Sequence, residues 1–127
     1  MRPLRYTALL LATIVLVLAG CRIETPTLRS AKVKQFEKGN ELRTWTLTDT
    51  QLQAVSDWLA RQRSGWYPTP ATFAPSLTLA GMDANEQAFT LNVRTEEIVV
   101  NGPKGQFMKQ FPPEDLDALR RLLAAES

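Results

Sequence analysis

The chain has 127 residues, 44% of them hydrophobic and 22% charged, with one cysteine and no histidine. That length suits one domain with a modest core. A lone cysteine excludes a disulfide within the chain and a cysteine metal cluster. The missing histidine removes the commonest general base and metal ligand, and with them every Ser-His or Cys-His nucleophile.

Met1 to Arg5 carry two positive charges, Arg2 and Arg5, and no acid. Ala8 to Ala19 is apolar except for Thr13, and the small residues Ala19 and Gly20 precede Cys21. A charged start, an apolar middle and a small-residue close make residues 1–20 an expected export signal. The apolar run is about 12 residues, whereas a helix needs about 20 to span hydrocarbon. A permanent transmembrane helix is therefore not expected. Leu18-Ala19-Gly20-Cys21 resembles the lipobox of bacterial lipoproteins, and the resemblance covers this segment alone. It implies cleavage after Gly20, a diacylglyceryl group on the Cys21 sulfur and acylation of the new amino group. Two or more acyl chains anchor a protein stably, so membrane attachment through Cys21 is expected. Arg22 follows the cysteine where an Asp would favour inner-membrane retention. This resembles the outer-membrane class, facing the periplasm.

Loss of residues 1–20 removes two of the 15 Lys+Arg and none of the 13 Asp+Glu, so the remaining side chains sum to zero. A nucleic-acid partner needs a retained basic face and is not expected.

Residues 21–30 contain Pro26 and no periodic pattern. They are expected to be a lipidated tether, with a reach of about 30 Å at ~3.3 Å per residue, ahead of one globular domain over 31–127. Ala31–Glu37 alternates as a strand, and Lys32 and Lys34 suggest an edge strand. Lys38-Gly39-Asn40 is a turn signal. A second strand runs from Leu42 to Leu47, with Trp45 and Leu47 on one face. Thr48 to Gln51 fits a capping box, flanked by Leu47 and Leu52 as a hydrophobic staple. Leu52, Val55 and Leu59 then recur at helical spacing beside Trp58. Arg61 and Arg63 suit a last turn and Gly65 a stop. The following stretch holds Pro68, Pro70 and Pro75 with Trp66, Tyr67 and Phe73, and is expected to be an ordered loop.

Ser76–Phe111 has the alternation of an antiparallel meander, with turns at Asp83–Glu86, Thr95–Glu97 and Asn101–Gly105. Pro113, Glu114 and Asp115 suit the start of a last helix whose stripe is Leu116, Leu119 and Leu122 or Leu123. The expected fold is α+β, an antiparallel sheet of about four to six strands with two helices packed on one face.

Few residues carry chemistry. Glu96 and Glu97 are neighbours that a strand would point to opposite faces. Glu114, Asp115 and Asp117 answer a helix dipole. Asp83 to Glu86 lacks the glycine and final glutamate of an EF-hand loop and suits a hairpin turn. Ser30, Ser56, Ser64, Ser76 and Ser127 stand in no nucleophile-elbow pattern. No enzyme activity, metal or cofactor is expected. Arg61, Arg63, Trp66, Tyr67, Pro68 and Pro70 form a candidate partner-binding surface, because Trp, Tyr and Arg dominate binding hot spots. The expected function is a non-enzymatic protein-binding module of the envelope, either an assembly accessory or an inhibitor or immunity-type partner. The alternative is a binder of a small ligand, lipid or glycan in a pocket between sheet and helices.

Overall fold

The structure, a computed structural model, describes residues 20–125. Residues 1–19 of the expected signal segment, Leu18 and Ala19 among them, and Ser127 lie outside the described residues. Strand β1 (Leu28–Glu37) turns into β2 (Asn40–Thr46) through Lys38 at φ 51° and Gly39 at φ 80°. Two positive φ values in a two-residue connection give the turn whose twist matches paired strands, and Gly39 takes its place without strain. Helix α1 (Asp49–Ala60) and the short β3 (Tyr67–Pro68) follow. The meander is β4 (Leu77–Asp83), β5 (Ala88–Val93), β6 (Glu97–Gly102) and β7 (Gly105–Gln110), and helix α2 (Pro113–Leu123) comes last. All strands join one antiparallel sheet in the order β2-β1-β4-β5-β6-β7-β3.

The α+β class is observed, with seven strands among the described residues rather than four to six. The added strand is β3, hidden in the Pro-rich stretch because proline is tolerated only where a strand needs no donor on one side. β1 starts three residues earlier than expected and is not an edge, since it lies between β2 and β4. Lys32 and Lys34 reflect an uncovered sheet face. Face exposure and edge exposure leave the same alternation in a sequence.

The pairing aligns rows across the sheet. Trp45, Val33, Leu79, Leu91, Val100 and Phe107 lie in one row, and their neighbours Thr44, Lys34, Thr78, Asn92, Val99, Met108 and Tyr67 line the opposite face. The first row and both helices share one apolar cluster, so both helices cover the same face. Leu59, Leu79, Leu91, Ile98, Leu116, Leu119 and Leu123 are fully buried there. Each such side chain contributes about 1.5–3 kcal/mol.

The capping box of α1 is formed: Thr48 Oγ1 accepts from Gln51 N at 3.2 Å, and Gln51 Oε1 accepts from Thr48 N at 3.0 Å. Leu47 and Leu52 are both buried, as a staple requires. The helix ends at Ala60, so Arg61 is its C-cap and Arg63 lies beyond it. Gln51 also reaches α2, donating from Nε2 to Leu122 O at 3.2 Å and Ala124 O at 2.7 Å. Trp45 Nε1 donates to Leu123 O at 2.8 Å. These donors satisfy the carbonyls that a helix C-terminus leaves without partners. Buried Ser56 joins α1 to β1, donating to Leu52 O at 2.7 Å and accepting from Leu28 N at 2.9 Å.

Thr69–Ser76 is the expected ordered loop, and it straps the face away from the helices. Gln106 Nε2 donates to Thr69 O and Ala71 O, and Asn92 Nδ2 and Arg94 Nη1 donate to Ala74 O. Arg94 stacks over Phe73 at 4.9 Å. Val99, in β6 between these fixing points, is buried yet outside the main core cluster.

Candidate functional site around Cys21

Cys21 is an exposed free thiol beside the β3 edge. Its backbone exchanges both bonds with Trp66: Cys21 N donates to Trp66 O at 2.6 Å, and Trp66 N donates to Cys21 O at 3.0 Å. Ile23 N donates to Arg63 O at 2.8 Å, and Ala84 N donates to Thr27 O at 2.9 Å. Ile23 is half-buried against the core. The segment expected to be a tether is therefore laid along the domain, and Leu28–Ser30 belong to β1. The reach of about 30 Å that an extended segment would have is not available to it. The cause is backbone pairing, which needs no side-chain periodicity and so left none to find.

Glycine is required where this segment meets the chain after α1. Gly20 has φ +77°, and a Cβ there would stand 2.8 Å from the Gly65 carbonyl carbon. Gly65 has φ +83° and turns the chain into β3. It acts five residues past the helix end rather than as its stop.

The candidate binding residues divide. Trp66 is 0% exposed, its Nε1 donating to Gln62 O and its ring edge-on to Phe111 at 5.9 Å. A partner cannot touch that ring, so Trp66 leaves the candidate surface. Tyr67, next along the strand, emerges on the opposite face and is 45% exposed. Pro68 and Pro70 are also exposed, as are Arg61 at the helix C-cap and Arg63, whose carbonyl accepts from Ile23 N. Arg63 Nε donates to Thr25 Oγ1 at 3.3 Å. Among the described residues, Arg22, Arg61 and Arg63 make no ion pair. Lys104 is paired with Glu24 at 3.0 Å, both widely exposed.

Comparisons with protein-family models, curated proteins and solved structures give no match for this chain.

Lys109 sits just inside this edge. Its Nζ donates to Ser64 O at 2.8 Å and lies 4.9 Å from the Phe111 ring centroid. Burial lowers its pKa below the usual 10.5, and Asp115 offsets part of that. A cleft of about 450 Å³ lies beneath residues 22–27 at the hairpin end of the sheet, lined by Ile23, Thr25, Phe89, Val100, Lys104 and Phe107 among others. The expected position for a pocket, between sheet and helices, is occupied by the buried leucines.

Several other polar groups have local partners, whereas Thr78 Oγ1 is buried without one among the described residues. Glu97 pairs with Arg94 at 2.8 Å, and Asp117 with Arg120 at 3.1 Å. Asp83 Oδ1 accepts from Asn85 N and Gln87 N, closing the hairpin turn. Among the described residues no three Asp, Glu, Cys or His side chains gather as a metal site, and no helix is long and apolar enough to cross a membrane.

Proposed function

We propose that this chain is a lipid-anchored lipoprotein of the bacterial envelope, held at the outer membrane facing the periplasm, whose domain binds another envelope protein without catalysing a reaction. The carrying observation is the Leu18-Ala19-Gly20-Cys21 motif with its thiol exposed on the folded domain. The partner is an assembly component, or an enzyme or toxin for which this protein is the inhibitor or immunity partner. The geometry favours β2 as the contact. Among the described residues no strand lies beyond it, six of its seven residues are exposed, and Leu42 is 57% exposed. An exposed edge strand is a template for pairing with another chain.

Labelled palmitate should enter the protein and be lost in Cys21→Ser, with the domain moving from the membrane to the soluble fraction. A photo-crosslinker at Leu42 should give one defined envelope adduct that a crosslinker at Asp117 does not. Absence of label refutes the anchor, and absence of the adduct refutes the protein-binding role.

The cleft of about 450 Å³ supports a second function, capture of a small ligand, lipid or glycan. Phe89→Trp should then abolish the ligand-induced rise in Tm. A library of envelope lipids and glycans that leaves Tm unchanged removes it.

A further inference from the structure

We infer that the surface around Cys21 sits on the anionic headgroups of the bilayer, with Arg22, Arg61 and Arg63 meeting phosphates and Tyr67 at the interface, so that the domain stands in one orientation with β2 outermost. The inference rests on the lipoprotein function of Cys21 and deepens it.

A flexible tether would leave orientation free. Here the anchored residue is itself held in an antiparallel β-bridge, bonded to Trp66 at 2.6 and 3.0 Å, and Ile23 adds an attachment at Arg63. Acylation of the Cys21 amino group leaves one N–H, so its donor to Trp66 survives processing. Trp66 is fully buried, so the anchor joins a rigid part of the core. Acyl chains leaving Cys21 therefore draw the sheet edge itself against the membrane.

The side chains at that edge suit the contact. Arg22, Arg61 and Arg63 are exposed, and among the described residues no carboxylate neutralises them. Guanidinium forks match phosphate oxygens. Tyrosine is enriched at the headgroup level, where its ring and hydroxyl meet different media. Each basic residue near an anionic leaflet strengthens partitioning about fivefold. A protein bound here would have to enter between bilayer and domain, and the bonded segment leaves no slack for it. The opposite edge, β2, is six strand spacings of about 4.8 Å away, on the order of 30 Å.

The test uses the full acylated protein in vesicles of phosphatidylethanolamine with phosphatidylglycerol as the anionic component. Acylation consumes the only thiol, so Ser64→Cys beside the anchor, or Leu42→Cys at the far edge, carries one spin label. The label at 64 should lie at headgroup depth and the label at 42 in water. Adding Arg61→Glu with Arg63→Glu should weaken seating by at least ~25-fold, moving the label at 64 into water while the protein still floats with the vesicles. The same release should follow at high salt, which screens exposed charges. Two labels equally in water, in unreversed protein that floats, overturn the inference. So does a crosslinker at 64 that captures an envelope protein instead of lipid. Protein that does not float refutes the lipoprotein function, and the inference falls with it.

Discussion

The two edges of the sheet are built in opposite ways. At one, β3 is two residues long, ends in proline, and is extended by Trp66, whose backbone is taken by Cys21. Proline and a self-supplied partner both stop a foreign strand from adding. At the other, β2 runs seven residues with no strand beyond it among the described residues and only Trp45 half-buried. Its protection is limited to the charges of Glu41 and Arg43 and a bulge in β2 itself, where Leu42 has no register partner between Gln35↔Arg43 and Phe36↔Glu41. One edge is spent on holding the segment at Cys21 and Ile23, and the other is left open. Edge strands are usually dangerous in proportion to their length, so a long open edge opposite a sealed one marks where recognition can occur without disturbing the Cys21–Trp66 pairing.

The closed edge breaks with the largest effect. Trp66→Ala removes a fully buried ring packed on Phe111 and should cost about 3–5 kcal/mol in urea unfolding. It should also raise hydrogen exchange at Ile23, whose bond depends on the same edge.

On the open side, Gln51→Leu keeps the volume but leaves carbonyls at Leu122 and Ala124 without donors. A loss of about 1–3 kcal/mol is expected, measured by thermal unfolding. Gln51→Glu should recover part of it, because the acceptor of the capping box remains.

Lys109 separates the edges by pH. Its folded pKa lies below 10.5, so in the window just under that value the unfolded chain binds more protons and stability rises with pH. The rise should vanish in Lys109→Met and persist in Lys34→Met. Urea midpoints across that window measure it.

The smallest effect belongs to the free edge. Leu42→Lys should change stability by no more than about 0.5 kcal/mol while abolishing the envelope adduct of a photo-crosslinker moved to Thr44, an exposed residue of the same strand.

Much of the fold was legible where side chains answer local backbone needs. The capping box at Thr48 and Gln51, the Lys38-Gly39 turn, the alternation of β4 to β7 and the leucine stripe of α2 all repeat at fixed offsets. What escaped the sequence depends on long-range backbone or amide bonds. β3 is two residues among prolines, the Cys21–Trp66 bridge uses only main-chain atoms, and Gln51 bonds residues more than seventy positions away. The candidate site was legible in composition but not in partition. Adjacent strand residues point to opposite faces, which sends Trp66 inward and Tyr67 outward. Knowing that required knowing that a strand runs there.

The double duty of Gln51 has a further consequence for how the domain comes apart. One amide closes the start of α1 and the end of α2, so neither terminus can fray without exposing the other's unpaired groups. The helices form one cooperative unit rather than two. Native-state hydrogen exchange should show the first turn of α1 and the last turn of α2 opening together, at one free energy, before the sheet gives way.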